Sequence, residues 1–594
     1  MTSHVAPSHA APAKAVPASP LTISPTLSHR VLSLLALLGL FQGLPTALRN
    51  EAVARVYLAA GFGVLYGALL VLAVLITVAR GPVTLRRLDL AVLGAAVFRL
   101  GLLLASGTSR GALTYHDDEG PLVTMAARAY AAGGHVYGAH FTNTGHVFHV
   151  NMTPLMDGRI ADVLGYPPLS VLLTAPFTPH GLVPLPAWVP VAGLWSLLAL
   201  VVAAVLMFRR LPTPLRPAAT LLFFGMGWMF DYARDGYPVY LTLPFLVVVL
   251  AGWSRIGAGG RLGRSGLISA CCLGVADSAH QLAWFLTAFL LLGVVLLRRG
   301  ELGAWRPALT VTARYAALVL GVFLLVDLPL LVRDGGAWLP GVLRVLTQHA
   351  SPQGLGPVDI SYYLTHGSGA LGLYSAAAGA LFLATLAAFA LYPGRLAPAI
   401  ALLPWPAFFL STRSTETYFV LLAPLWLTAL CCNDRALLAQ AWQWRPVLLR
   451  SRPVRLAAPA LLALPALVLL LVAIATPPPL QVAARASARH PVSGTSVAVG
   501  GTAKPADGVD RITAVLRNTT DHALTPAFAT SNNAWLDFSW RIASGPRVVP
   551  AHGTAAYVLV RVGAPFAPNG SGPTYLRVLS DGPMTLTNER LTIH

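Results

Sequence analysis

Long apolar runs of about 20 residues recur along most of this chain, and they constrain its fold more than any other feature. A run of that length suits a helix that crosses the hydrocarbon core of a bilayer. Only 11% of the residues are charged, whereas a soluble protein carries about 25%. We therefore expect an all-α polytopic membrane protein with about thirteen transmembrane helices in residues 29–476.

The basic residues predict how these helices are oriented. The net charge is +19, and most arginines fall in short loops between apolar runs, which is typical of cytoplasmic loops rather than of a nucleic-acid interface. The expected location is a plasma (inner) membrane, with the N-terminus in the cytoplasm. Residues 1–28 are predicted to be a disordered cytoplasmic tail. The cysteines form two adjacent pairs, so neither a disulfide framework nor a structural zinc is expected.

One polar stretch, Thr114–Ser170, interrupts the apolar pattern. Orientation places it outside the cell, within a loop predicted to span residues 107–180 and to be catalytic. It contains five histidines and the adjacent acids Asp117, Asp118 and Glu119. A carboxylate just outside a membrane helix can act as general base on an acceptor hydroxyl, although ordinary solvated acids are the plain alternative. The residues alone do not decide between Asp117 and Asp118.

The composition changes at about residue 477. Three consecutive prolines end the last apolar run, and the remaining sequence alternates apolar and polar residues in short segments separated by turn residues. This pattern predicts an extracytoplasmic β-sandwich over residues 477–594.

Several motifs resemble the GT-C superfamily of membrane glycosyltransferases. After a predicted membrane helix come Asp118-Glu119, an amphipathic segment with Arg128, then Gly-Gly-x-x-Tyr-Gly and Tyr-Pro-Pro-Leu. Further similar stretches read ADSAHQLAWF, SPQGLG and RSTETYF. The resemblance implies a bacterial mannosyltransferase-like or protein O-mannosyltransferase-like hexosyltransferase, which uses a polyprenyl-phosphate sugar and inverts it. It makes Asp118 the general base, with Asp117 and Glu119 as the other candidate catalytic residues.

The same reading predicts a set of substrate-binding residues. Arg413 is the expected phosphate ligand, because a guanidinium binds oxygens bidentately. His280 is expected to assist it, at a place where such relatives have a lysine. The remaining candidates are polar or aromatic residues predicted on the same side of the membrane: Glu416, Tyr418, Gln281, Tyr166, Asp231, Asp235, Gln353 and His349.

Other functions stay open at this point. A flippase or transporter of lipid-linked glycans also needs many helices, and an envelope glycan ligase shares the donor chemistry. The expected partners are the lipid-phosphate donor, a glycan, lipid or protein acceptor and membrane lipids, but no nucleic acid. No cofactor is expected, although the loop histidines leave open a divalent ion held with Asp117 or Asp118.

Overall fold

The computed structural model describes residues 24–79, 81–109, 114–444, 446, 451–499, 502–532, 536–568 and 573–593. Most of the predicted tail lies outside these ranges. Within them, eight helical stretches are long and apolar enough to cross a membrane, or nine if the pair Gly227–Arg234 and Pro238–Leu250, bent by 105°, counts as one span. The eight are Pro25–Val53, Val56–Val78, Pro82–Gly107, Val191–Arg210, Leu282–Leu302, Trp305–Thr347, Gly372–Leu391 and Ala457–Ala475.

These helices have the burial expected of a multi-pass membrane protein. In Val56–Val78 only 22% of the most apolar window is buried inside the protein. Apolar side chains therefore face outward, as they do where the solvent is lipid. The predicted membrane character is confirmed, whereas the count of thirteen spans is not.

The shortfall in spans has a local cause. Several predicted spans are short or broken helices, and prolines interrupt them because proline removes a helical hydrogen bond. One apolar run counted among the thirteen predicted spans is 397–410. It contains Pro398, Pro404 and Pro406 and forms the short 3₁₀ turns Ala397–Ala399 and Trp405–Leu410. The shorter α-helices are Glu119–Ala131, Thr144–Phe148, Leu169–Thr174, Pro217–Thr220, Gly227–Arg234, Leu243–Leu250, Arg264–Asp277, Trp338–Val342, Arg344–Thr347, Pro393–Leu396, Thr417–Val420, Ala423–Cys432 and Arg435–Ala439.

The C-terminal region is rich in β-structure, as predicted. The strands in chain order are β1 (Gln353–Gly354), β2 (Gly367–Ser368), β3 (Arg413–Ser414), β4 (Leu480–Val499), β5 (Thr502–Asn518), β6 (Ala527–Ser531), β7 (Trp540–Ser544), β8 (Thr554–Arg561), β9 (Tyr575–Ser580), β10 (Thr585–Arg590) and β11 (Thr592–Ile593). They form a five-stranded sheet in the order β11-β4-β5-β8-β7, a four-stranded sheet β2-β10-β9-β6 and the pair β1-β3.

One strand of the four-stranded sheet comes from the helical part of the chain. β2 precedes the helix Gly372–Leu391 and pairs antiparallel with β10, with Leu586 opposite Ser368. Nη1 of buried Arg577, on β9, donates a hydrogen bond to the backbone oxygen of Tyr362 at 2.5 Å. The Cζ atom of Arg577 lies 3.5 Å from the centroid of the Tyr362 ring. The sequence-based boundary at 477 therefore separates segments that share a sheet.

Candidate functional site

The three acids lie where the helix Glu119–Ala131 begins. Asp118 is the residue just before this helix, but its side chain makes no capping hydrogen bond to the helix. Its Oδ2 instead accepts a hydrogen bond from the backbone N–H of Thr153 at 2.6 Å. Oδ1 of Asp117 accepts from the N–H of Asp118 at 2.9 Å. The carboxylate of Asp118 is thereby held against a second segment of the same loop.

A close backbone contact supports this position of the acids. A Cβ on Gly120 would lie 2.2 Å from the carbonyl oxygen of Asp235. Only glycine allows that approach. Oδ1 of Asp235 in turn accepts from the backbone N–H of His116 at 3.1 Å and contacts its ring Nδ1 at 3.0 Å. Asp235, a predicted sugar ligand, therefore anchors the start of the acidic segment.

Burial and neighbouring charges raise the pKa values of Asp118 and Glu119. Asp118 is 5% exposed, and burial, with the nearby charge of Asp117, raises its pKa to about 6. The bond from Thr153 and the charge of Arg413 act in the opposite direction. Burial, then the charges of both aspartates, raise the pKa of Glu119 well above its ordinary value. Glu119 therefore holds its proton more strongly than an ordinary carboxyl group, while Asp118 can ionise at neutral pH and still take up a proton.

Two tyrosines lie close to the flanking acids. The hydroxyl of Tyr237 donates to Oδ2 of Asp117. The hydroxyl of Tyr166 lies close enough to the carboxyl group of Glu119 to affect its pKa. Tyr166 also lies against His280, with 5.3 Å between the ring centroids. The structure therefore brings Tyr166 to the acids, whereas sequence reasoning missed Tyr237 although it selected Asp235 two residues away.

Arg413 approaches the acids from β3. This strand pairs parallel with β1, where Gln353 is opposite Arg413. Nη2 of Arg413 donates to Oγ1 of Thr153 at 3.3 Å. Nη1 is buried and has no hydrogen-bond partner among the described residues. Thr153 thus touches Asp118 through its backbone and Arg413 through its side chain, and no motif in the sequence pointed to it.

Of the remaining predicted ligands, one lies near Arg413 and two are exposed. Tyr418 is close enough for the charges of both Arg413 and Glu119 to act on its hydroxyl. Glu416 is exposed and accepts a hydrogen bond from Tyr232. The carboxylate of Asp231 is mostly exposed and lies 3.8 Å from the guanidinium of Arg234. Glu416 and Asp231 are therefore exposed, unlike the buried acids.

The expected help from His280 in binding phosphate is not supported by its surroundings. Burial lowers the pKa of His280 to about 3, so the ring is neutral at physiological pH. Its Nδ1 accepts from the backbone N–H of Leu282 at 3.1 Å. A neutral ring adds no positive charge beside a phosphate.

Two further predicted ligands make connections within the protein. The side-chain nitrogen of Gln281 donates to the carbonyl oxygens of Gly165 at 2.5 Å and Val342 at 2.6 Å. Nδ1 of His349 lies 2.6 Å from Oδ1 of Asp581, and this contact joins the loop to the C-terminal region. Gln281 and His349 therefore each connect segments that are distant in the sequence.

Three of the five loop histidines each contact an aspartate. His116 contacts Asp235, and His135 and His140 contact Asp334 and Asp162, each at 3.0 Å. In the part of the chain that the structure describes, no three His, Cys, Asp or Glu side chains form a group suited to a metal ion.

Comparison with known proteins adds no assignment. No protein-family profile, curated protein or solved structure matches this chain. The chemistry of the site itself therefore carries the functional argument.

Proposed function

We propose that the protein is an integral membrane glycosyltransferase of the GT-C type, with about thirteen spans and a C-terminal β-sandwich. It moves a sugar from a polyprenyl-phosphate donor to an extracytoplasmic acceptor with inversion at the anomeric carbon. The observation that carries this proposal is the junction at Thr153, where a buried carboxylate and a partly unpaired guanidinium meet.

The two groups suit the two ends of one displacement. Asp118 removes the proton from the acceptor hydroxyl while that oxygen attacks the anomeric carbon. The bond from that carbon to the phosphate oxygen breaks, and polyprenyl phosphate leaves with the electron pair. Arg413 stabilises the negative charge on the departing phosphate. Attack opposite the leaving group inverts the anomeric carbon.

The pKa of Asp118 fits the task of a general base. A base is most effective when its pKa lies near the working pH, and about 6 satisfies this better than the ordinary value of 3.8. The raised pKa of Glu119 favours its uncharged form, which reduces the negative charge next to the phosphate. The proposal needs no cofactor or metal ion and no nucleic acid.

The proposed location follows the arginine pattern of the loops. The N-terminus is in the cytoplasm, and the acids, Arg413 and the β-rich region are on the outer side of a plasma (inner) membrane. The donor enters laterally from the lipid with its phosphate at the outer interface, and the acceptor arrives from the aqueous side.

The test is a transfer assay with purified protein in nanodiscs. The donors are radiolabelled polyprenyl-phosphate sugars, and the acceptors are fractionated envelope glycans, lipids and proteins. Asp118→Asn is expected to lower transfer about 10²- to 10⁴-fold, the usual contribution of a general base. Asp521→Asn is the matched control, because that side chain is 96% exposed and belongs to the β-rich region.

Different outcomes separate the candidate roles. Loss of transfer in Asp117→Asn with retention in Asp118→Asn would move the base to Asp117. Retention in both variants would refute the glycosyltransferase mechanism. Passage of lipid-linked glycan across liposomes without donor cleavage would favour a flippase in its place.

A further inference from the structure

A polar cavity lies next to the segment of the loop that follows Thr153. Its volume is about 360 Å³, which is within the range of small-molecule sites. One wall is the hairpin Thr153–Ala161, closed by a hydrogen bond from Ala161 N–H to Thr153 O of 2.8 Å. The lining residues are Leu155 and residues 158–160 of this hairpin, with His140, Asp162 and Arg344.

One of the cations in this cavity lacks a counter-charge. Arg159 is paired with Asp157 at 2.6 Å, and Asp162 is paired with His140 at 3.0 Å. Among the described residues no carboxylate lies within salt-bridge distance of Arg344, and its buried Nε has no hydrogen-bond partner. A guanidinium in this state favours an anionic oxygen from a ligand.

The remaining lining suits a sugar ring. Ile160 is 40% exposed, and with Leu155 it gives the cavity an apolar wall for the C–H face of a ring. The carboxylate of Asp162 can accept hydrogen bonds from hydroxyl groups. Cation, hydroxyl acceptor and apolar wall together match a saccharide that carries an anionic group.

The hairpin connects the cavity directly to Asp118. Ala161 lies between the lining residues Ile160 and Asp162 and donates to the carbonyl oxygen of Thr153. The N–H of Thr153 donates to Asp118. Asp118 and the lining segment 160–162 therefore both contact the backbone of Thr153.

We propose that this cavity is an acceptor subsite for a saccharide bearing one anionic group, a phosphate or a carboxylate. This inference rests on the proposed function. Arg344 binds the anion, Asp162 binds hydroxyls, and the sugar one residue further along the acceptor presents its hydroxyl to Asp118. The subsite would thereby select an acidic acceptor glycan over a neutral one.

The test measures binding by the full-length protein in nanodiscs, without donor. The probes are glucose 6-phosphate, glucuronate, glucose and inorganic phosphate, followed by ligand-observed NMR. One or both of the anionic sugars is expected to bind at least about tenfold more tightly than glucose. Arg344→Gln should abolish that preference, whereas Arg541→Gln, an exposed cation on β7, should keep it.

Photolabelling of the wild-type protein locates the probe independently of any variant. A diazirine derivative of the preferred anionic sugar is expected to label residues 155–162 or 344–347, as read by peptide mass spectrometry. Labelling confined to other segments, including those around Arg413, would overturn the proposal. Equal binding of anionic and neutral sugars by the wild type would also overturn it.

The transfer assay distinguishes this inference from the proposed function. Asp118→Asn should keep anionic-sugar binding while losing transfer. Sugar binding could depend on Arg344 while transfer does not depend on Asp118. That result would support the cavity as a saccharide site and refute only the proposed mechanism. Transfer that depends on Asp118 without labelling of the cavity would refute only the subsite.

Discussion

Replacing Asp118 with asparagine is expected to stabilise the protein while it lowers transfer about 10²- to 10⁴-fold. The substitution keeps an oxygen that can accept the hydrogen bond from Thr153. It also removes an ionised group from a buried position. Groups arranged for chemistry often lower the stability of the folded state in this way.

The size of the effect follows from the pKa. Burial raises the pKa of Asp118 from 3.8 to about 6, and one pKa unit corresponds to about 1.4 kcal/mol. Below pH 3.8 the carboxyl is protonated in the folded and the unfolded protein, so ionisation costs nothing. Above pH 6 the full difference of about 3 kcal/mol destabilises the folded state, and roughly half of it applies at pH 5.

Thermal unfolding in detergent at several pH values measures this difference. Asp118→Asn should raise Tm at pH 8 by roughly 3 °C, since an unfolding entropy of about 2.1 cal/mol/K per residue makes 1 kcal/mol worth roughly 1 °C in a chain of this length. The gain should shrink steadily as the pH falls from 6 to 4. Asp521→Asn should show no gain at any pH, because its carboxylate is 96% exposed.

A Tm of Asp118→Asn at or below that of the wild type at pH 8 would refute this reasoning. It would mean that the ionised carboxylate is fully compensated by its partners, Arg413 above all. The pKa of Asp118 would then lie near or below its ordinary value, and the argument for a base tuned to neutral pH would fail.

Three further predictions concern the surroundings of the acid. Arg413→Gln should move the acidic limb of the pH–rate profile to higher pH, since the guanidinium lowers the pKa of the proposed base; an unmoved limb would separate the two groups. Gly158→Val should lower stability by about 1–3 kcal/mol, because this glycine has φ +82° and its Cβ would lie 3.2 Å from Ala527. Gly67→Ala, with open space around it, is the control in the same thermal assay, and equal Tm values would contradict the packing argument. Arg577→Met should loosen the C-terminal region, since the buried guanidinium makes a 2.5 Å hydrogen bond to the loop before β2; limited proteolysis should then cleave between this region and the helices, and an unchanged pattern would refute that role.

Local pattern was sufficient for the coarse architecture. Apolar runs predicted membrane helices, because the length and polarity of a run can be read directly from consecutive residues. Alternation predicted strands in the C-terminal region for the same reason. The helix breaks around Pro404 and Pro406 were harder to predict from the sequence. A proline lengthens an apolar run, although it interrupts the helix that the run would form.

The acids were also found locally, since Asp117, Asp118 and Glu119 are three adjacent carboxylates in a stretch that interrupts the apolar runs. Asp118 and Arg413 were both selected from the sequence, yet nothing in their motifs indicated a shared neighbour. His280 was predicted to assist Arg413 because it stands where the resembled proteins have a lysine. Its actual state depends on burial, which lowers its pKa to about 3.

The sequence by itself determined that this chain has many apolar helices, a polar loop with three adjacent acids and a β-rich end, because these are properties of consecutive residues. Tertiary structure alone decided that Thr153, 35 residues from Asp118 and 260 from Arg413, contacts both. Threonine is neutral and common, and its role arises from a backbone N–H and a hydroxyl whose positions depend on the packing of distant segments. The same packing buries Asp118 and so sets the pKa on which its proposed chemistry depends.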